Sequence, residues 1–337
     1  MSAETPPGTS PADGTTPDPA TVPDPAESAT ARSAVSRERI ARDLAAVPRS
    51  PGAPKPDPII VADGVRRTFG GIHAVDVEHL EVQRGAITAL IGPNGAGKTT
   101  LFNLLTGFDR ADAGTWSFEG RQVQGKAAAR MAGLGMVRTF QLTKALSRMT
   151  VMDNMRLGAV DQRGETVLGS LLPWLWRAQE AEITERAREL LERFKLGDKA
   201  DDFAGSLSGG QRKLLEMARA LMTRPTMVML DEPMAGVNPA LTQSLLGHIQ
   251  ALRDEGMTVL FVEHDMHMVR HISDWVVVMA EGRTVAEGPP GTIMQDQAVV
   301  DAYLGAHHDT DLGDDALLEE GAADQYEAEA EAEEATK

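Results

Sequence analysis

One short segment of the chain holds the residue types that bind phosphate. Gly92 and Gly97 are separated by four residues, and Lys98 and Thr99 follow at once. Glycines let the backbone turn its N–H groups toward an anion, while the lysine and the hydroxyl reach the terminal phosphates and Mg²⁺. A plain glycine turn with a surface lysine is the alternative. The predicted nucleotide contacts are Asn94, Gly95, Ala96, Gly97, Lys98, Thr99 and Thr100.

Acidic residues follow two apolar runs elsewhere in the chain. Asp231 and Glu232 come directly after Val228–Leu230, and Glu263 and His264 come after the run that ends at residue 262. The carboxyl ends of parallel strands meet at one edge of a sheet, where α/β proteins bind their ligands. We therefore expect Asp231 to hold Mg²⁺ and Glu232 to polarise an attacking water, although such acids can also merely cap the next helix.

A second phosphate trap lies at Ser208–Gln211, where a serine and two glycines precede a helical pattern. A hydroxyl and glycine amides at a helix start form an anion site. One nucleotide does not need two such loops in the same domain. The sequence therefore predicts that Ser208, Gly209, Gly210 and Gln211 close over the γ-phosphate of a nucleotide bound by another chain.

The elements around these segments predict an α/β fold. An apolar run before Gly92 and a helical pattern after Lys98 give strand, loop, helix. Strand signals disappear between about residues 142 and 225, which predicts a helical subdomain there. The predicted strands are Ile59–Val61, Val75–Val82, Ala86–Ile91, Met227–Leu230 and Thr258–Val262, with a closing hairpin at Trp275–Met279 and Arg283–Glu287.

The two ends of the chain differ in composition from its middle. Residues 1–57 hold eleven of the nineteen prolines and are predicted to be disordered. Within them, Ile40, Leu44 and Val47 have helical spacing, which we interpret as chance or a transient helix. Residues 306–337 hold twelve acidic residues against one lysine and account for −11 of the net charge of −17. They are predicted to form a disordered acidic tail after a domain at 58–305.

Composition also narrows the function classes. A net charge of −17 argues against nonspecific nucleic-acid binding, which needs a basic face. The absence of cysteine excludes disulfides and thiolate metal sites, and it fits a reducing cytoplasm. We find no basic segment followed by an apolar stretch at the N-terminus and no run of about 20 apolar residues. The expected location is therefore cytoplasmic, with any membrane role mediated by a partner.

Taken together, these motifs resemble the ATP-binding subunits of ABC transporters. Ser208–Gln211 resembles the ABC signature, about twenty residues before Asp231 and Glu232. The resemblance implies a P-loop ABC-type nucleotide-binding domain with an antiparallel β portion and a helical subdomain. It also implies ATP and Mg²⁺ as cofactors and a head-to-tail pair of such domains.

The same resemblance implies roles for single residues. Gln141 resembles the Q-loop glutamine that touches Mg²⁺ and reports to the membrane subunit, and His264 resembles the switch histidine that contacts the γ-phosphate. Phe69 matches the aromatic residue that stacks on adenine, with a core phenylalanine as the alternative. Lys98, Glu232 and His264 would then be catalytic. Asn238 stands where an Asp is most common, so a charge-dependent role there is in doubt.

Several strings resemble the branched-chain (hydrophobic) amino-acid importers in particular. They are Phe69–Gly71, Gly92–Gly107, Val137–Gln141, Thr150–Asn154, Ala235–Pro239, Glu263–Met266 and Ala302–Gly305. This branch implies transmembrane permease subunits and a second ATPase that is usually a paralogue, with a second copy of this chain as the alternative. It implies a solute-binding protein indirectly, and it places this ATPase at the inner face of the cell membrane. Close relatives serving urea uptake or lipopolysaccharide export are alternatives, as is a soluble ABC ATPase that acts on ribosomes or DNA.

Overall fold

The computed structural model describes residues 37–139, 146–160, 162, 176–293 and 295–307. The strands are β1 (Pro58–Phe69), β2 (Ile72–Gln83), β3 (Ile87–Ile91), β4 (Ala113–Phe118), β5 (Arg121–Gln122), β6 (Met136–Arg138), β7 (Met227–Asp231), β8 (Thr258–Val262), β9 (Trp275–Ala280) and β10 (Arg283–Gly288). The helices are α1 (37–45), α2 (Lys98–Leu105), α3 (Ala128–Gly133), α4 (Val151–Arg156), α5 (Arg177–Arg193), α6 (Gly209–Leu221), α7 (Pro239–Asp254), α8 (Met266–Ile272), α9 (Pro290–Ile293) and α10 (Gln297–His307). Two short 3₁₀ turns lie at Gly197–Lys199 and Ala204–Ser206.

A six-stranded sheet in the order β10-β9-β3-β8-β7-β6 positions the candidate site. Five of its strands are parallel, and β10 pairs antiparallel with β9. Every residue of β3, β7 and β8 is buried, as expected for parallel strands covered on both faces. The carboxyl ends of these three strands therefore lie side by side and carry the loops that were predicted to bind nucleotide.

A second, antiparallel sheet in the order β2-β1-β4-β5 carries Phe69. Strands β1 and β2 pair along almost their whole length and are joined by a turn at Gly70 and Gly71. Side chains from this sheet share one hydrophobic cluster with α2 and with one face of the six-stranded sheet. Each strand that the sequence predicted overlaps an observed strand, although the predicted run Ala86–Ile91 begins one residue before β3.

The region between residues 142 and 225 is helical where the structure describes it. Helices α4, α5 and α6 contact one another, and their apolar faces enter a second hydrophobic cluster with β7 and α7. Within this predicted helical subdomain, residues 142–145, 161 and 163–175 lie outside the described residues. In the part of the chain that is described, no helix combines the length and the apolar character needed to cross a membrane.

The structure corrects the prediction for residues 37–57, which are not a disordered extension. Helix α1 buries Ile40 and Leu44, and the turn after it buries Val47; each is at most 7% exposed, in the same cluster as the β1 side chains. Their helical spacing is therefore not chance. Packing provides the reason, because a helix this short is marginal in isolation and becomes stable when an apolar face docks. Residues 1–36 and 308–337 lie outside the described residues.

A buried ion pair anchors the segment that follows α1. Lys55 Nζ lies 3.1 Å from Glu287 Oε2, and the two side chains are 1% and 0% exposed. Glu287 also accepts hydrogen bonds from the Ala53 amide and from Trp275 Nε1. Burial lowers the pKa of Lys55, and the Glu287 carboxylate opposes that shift. These contacts tie the segment to the start of β9 and to the end of β10.

Candidate nucleotide-binding site

The loop from Gly92 to Gly97 leaves the buried strand β3 and enters helix α2. Gly92 has φ of 146° and Gly97 has φ of 94°, a region that favours glycine. A Cβ at Gly92 would lie 2.0 Å from the Met279 carbonyl oxygen, and one at Gly97 would lie 2.2 Å from that of Ala74. The two glycines of the predicted pattern therefore let the loop lie directly against neighbouring backbone.

Lys98 curls over this loop. Its Nζ donates to the carbonyl oxygens of Gly92 at 2.7 Å and Pro93 at 2.9 Å. Burial lowers the pKa of Lys98, while the carboxylates of Glu232 and Asp231 raise it. The lysine, the loop and the two acids are therefore within electrostatic reach of one another.

Helix α2 begins at Lys98 without a side-chain cap. Gly97 is its N-cap, no side chain accepts a hydrogen bond from its first turn, and that turn contains no acidic residue. The first N–H groups of a helix carry a partial positive charge. This helix start therefore offers donors and positive potential to a phosphate, with the exposed hydroxyl of Thr99 beside them.

The two acids lie at the end of β7. Asp231 is 5% exposed and stands opposite Val262, the last residue of β8. Glu232 has φ of 45°, an uncommon value for a residue with a side chain, and its amide donates to the Val262 carbonyl at 3.0 Å. At Glu232 the chain therefore leaves the sheet in a strained turn. Backbone outliers of this kind cluster at functional sites.

Glu263 and His264 occupy the neighbouring strand end with different roles. Glu263 is 2% exposed, and its carboxylate accepts hydrogen bonds from the amides of Met234 and His264 at 3.1 and 3.3 Å. Burial raises the pKa of Glu263. Glu263 therefore holds the backbone together, whereas the side chain of His264 is 68% exposed and reaches outward.

The second predicted phosphate trap forms a helix start of its own. Ser208 caps α6 in a capping box: its Oγ accepts from the Gln211 amide, and Gln211 Oε1 accepts from the Ser208 amide. Gly210 lies so close to Leu241 that a Cβ would be 1.7 Å from Leu241 Cδ2. Lys213 Nζ donates to the Glu232 carbonyl at 3.3 Å, so this helix also braces the acidic turn. Asn238 caps α7 through the Leu241 amide, a role that needs no charge.

Phe69 presents an open ring. Its side chain is 47% exposed, which excludes the alternative of a core phenylalanine. The guanidinium of Arg67 lies 4.4 Å from the ring centroid and is held by Asp109 and Asp112. A ring backed by a cation keeps one face for stacking. Gln141 lies outside the described residues, so its predicted role stays a prediction.

Sequence reasoning missed two residues beside the site. Arg138 donates to the Asp231 carboxylate. Its only signal in the sequence was its position in the string Val137–Gln141. Tyr303 on α10 packs against the core, and burial raises the pKa of its hydroxyl to about 12 against an opposing effect of the Gly92 backbone. The string Ala302–Gly305 was the available signal for Tyr303.

The residues present fit a nucleotide with Mg²⁺. Asp231 supplies a carboxylate and Thr99 a hydroxyl, and oxygen ligands of this kind are the ones Mg²⁺ prefers. Lys98 and the open start of α2 supply positive charge for phosphates. At Gly92 and Gly97 a Cβ would collide with neighbouring backbone, so glycine is needed for the loop to take this shape.

Comparison with known proteins agrees with this geometry. Residues 75–235 match the model of the ABC transporter family, and residues 283–309 match that of the branched-chain amino acid ATP-binding cassette transporter. The branched-chain amino acid transport ATP-binding protein BraF of Pseudomonas aeruginosa is 41% identical over 250 residues, which cover 74% of this chain and 98% of BraF. The chain belongs to the ATP-binding cassette family of ABC transporters.

Other similarities to this cassette cover the same share of the chain. The probable branched-chain amino acid transport ATP-binding protein LivG of Methanocaldococcus jannaschii is 40% identical over 251 residues, covering 73% of this chain and 97% of LivG. A crystal structure of an ABC transporter cassette in its ADP conformation is 40% identical with a TM-score of 0.65, covering 74% of this chain and 99% of that one. The cassette is thus a nucleotide-binding ATPase domain, and α1 precedes both of its matched ranges.

Proposed function

We propose that this cassette hydrolyses ATP to drive the uptake of branched-chain amino acids through a membrane transporter. The observation that supports it most is the joint placement of the Gly92–Gly97 loop, Lys98, Asp231 and Glu232 at one sheet edge. The cargo rests on the names of the two relatives and on the match of residues 283–309 to the branched-chain family.

The chain's own residues divide the work of hydrolysis. Loop amides and Lys98 hold the β- and γ-phosphates, and Thr99 and Asp231 would hold Mg²⁺, which neutralises phosphate charge when bound. Glu232 orients a water and accepts its proton, because it follows a metal-binding acid at the open rim. His264 is exposed beside it and contacts the γ-phosphate.

Ser208–Gln211 serve a nucleotide held by a second ATPase, which we propose to be a paralogue of this chain. Phe69 stacks on the adenine. Gln141, which lies outside the described residues, would contact Mg²⁺ and pass the state of the site to transmembrane permease subunits at the inner face of the cell membrane. A solute-binding protein would deliver the amino acid to those permease subunits from the other side.

The Glu232→Gln substitution tests this assignment. It removes the proton acceptor but keeps shape and hydrogen bonding, so ATP hydrolysis should fall by at least about 100-fold. ATP affinity should stay within about twofold, since the loop and Lys98 are unchanged. Phosphate release and binding of a fluorescent ATP analogue measure the two quantities.

Glu119→Gln is the matched control. Glu119 also has a positive φ, of 50°, but lies in a turn paired with Arg84. The Glu119→Gln protein should hydrolyse ATP at the wild-type rate. Wild-type hydrolysis by the Glu232→Gln protein would refute the role of Glu232.

The cargo is tested in cells that depend on this transporter. Leucine uptake should be lost with Glu232→Gln, and unchanged uptake would refute the proposed cargo.

A further inference from the structure

Arg138 is a buried arginine at the edge of the sheet where the metal is expected. It ends β6, the neighbour of β7, and its side chain is 5% exposed. Its Nη2 donates to Asp231 Oδ2 at 2.6 Å, and its Nη1 donates to Asn103 Oδ1 at 2.6 Å. Arg138 therefore bridges Asp231 to α2, the helix that starts at the phosphate loop.

The guanidinium also lies over two aromatic rings. The rings of Phe102 and Phe108 each lie 5.7 Å from its central carbon. A planar guanidinium with donors in a fixed fork orients a carboxylate better than a flexible ammonium does. The direction of the Asp231 carboxylate is therefore fixed by β6, β7 and α2 together.

Burial explains why Asp231 needs such a partner. The Asp231 side chain is 7% exposed, so water compensates little of its charge. A buried carboxylate is costly unless it is paired and hydrogen-bonded. Arg138 provides both conditions through one oxygen of the carboxylate, Oδ2.

We propose that Arg138 is a positioning residue that holds Asp231 by Oδ2 and thereby presents Oδ1 to the Mg²⁺ of bound ATP. The inference rests on the proposed nucleotide site. Mg²⁺ demands nearly ideal octahedral geometry, so a ligand that rotates freely binds it less well. Residues that orient a metal ligand typically change metal affinity by about 10–100-fold when they are replaced.

Arg138→Met in the full-length Glu232→Gln protein tests this role without turnover. Mn²⁺ is the probe, and electron paramagnetic resonance gives the free Mn²⁺ concentration that half-saturates the ATP-loaded protein. That concentration should rise at least about tenfold, because the carboxylate loses its orienting donor. ATP affinity in EDTA should stay within about twofold, since Lys98 and the loop are intact.

Arg253→Met is the matched control. Arg253 is also buried, with a side chain 8% exposed, and it pairs with Asp254 and Asp274. Asp274 accepts from the amide of Ile87 at the start of β3. The phosphate loop follows the opposite end of that strand, so this ion pair lies away from the expected metal site. This variant should lose stability as Arg138→Met does and yet keep the Mn²⁺ half-saturation of the parent.

Each result decides the proposal. An unchanged Mn²⁺ half-saturation in Arg138→Met overturns it, as does an equal loss of ATP affinity in EDTA, which would mean that Arg138 only supports the loop. If that variant does not fold, Asn103→Ala removes the second anchor and should raise the half-saturation about three- to fivefold. An unchanged value there overturns the proposal too. Failure of the unmodified chain to bind ATP in EDTA would instead refute the nucleotide site itself.

Discussion

Gly97 joins the phosphate loop to its helix in a conformation that a side chain resists. An L-residue in the left-handed region costs about 1–2 kcal/mol, and a Cβ here would also meet the Ala74 carbonyl at 2.2 Å. Gly97→Ala should therefore lower the free energy of unfolding by more than that strain alone and weaken ATP binding in EDTA at least about tenfold. Urea unfolding and analogue titration measure the two effects.

Gly120→Ala separates strain from collision. Gly120 has φ of 72°, and nothing lies within 4 Å of the position of its Cβ. This variant should show the strain cost only, with unchanged ATP affinity. Equal losses of stability and affinity in both variants would contradict the packing argument at Gly97.

The residues that the sequence revealed share a property that Arg138 lacks. Gly92, Gly97 and Lys98 act through a spacing that is local in the chain, so the pattern is legible without a fold. The contact of Arg138 with Asp231 joins residues 93 positions apart and exists only because β6 and β7 are neighbours. A single arginine in an apolar strand carries no local sign of its partner.

Among the secondary-structure elements, helix α1 is the one whose stability depends on contacts that the local sequence does not reveal. The strands were predictable because each one is a short apolar or alternating run bounded by turn residues, a signal that is local in the sequence. The three apolar residues Ile40, Leu44 and Val47 stand in a proline-rich segment, whose average composition predicts disorder. They are buried in a core cluster that combines β1 with strands much further along the chain, such as β8 and β9, and this cluster exists only in the folded domain.

Leu44→Ala tests whether α1 is part of the folded domain. Leu44 is 3% exposed, and truncating a buried leucine costs about 2–5 kcal/mol. The urea midpoint should fall accordingly. Arg39→Ala, on the exposed face of the same helix beside Asp43, should change stability by less than about 0.5 kcal/mol. Indistinguishable midpoints for the two variants would show that α1 contributes nothing to the fold.

At the scale of the whole molecule, the chain has two predicted phosphate-binding helix starts, one at α2 and one at α6, and each needs a nucleotide assigned to it. Helix α2 starts at the loop that carries Lys98, so under the proposed function this helix start serves the nucleotide of the chain itself. Helix α6 starts at an exposed Ser208 whose capping box leaves the hydroxyl proton available as a donor. If Ser208 serves a partner's nucleotide, its loss must affect association and spare binding by the single chain.

Ser208→Arg in the Glu232→Gln protein separates these effects. ATP affinity at low protein concentration should stay within about twofold of the parent, whereas ATP-driven association in the ultracentrifuge should be lost, because an arginine obstructs the face that meets the partner. Thr150→Arg is matched, since Thr150 also caps a helix through its hydroxyl. It should lose a similar cap energy of about 1 kcal/mol and still associate. A fall in the ATP affinity of Ser208→Arg as large as that of Lys98→Ala would place both traps on one nucleotide and exclude the paired arrangement.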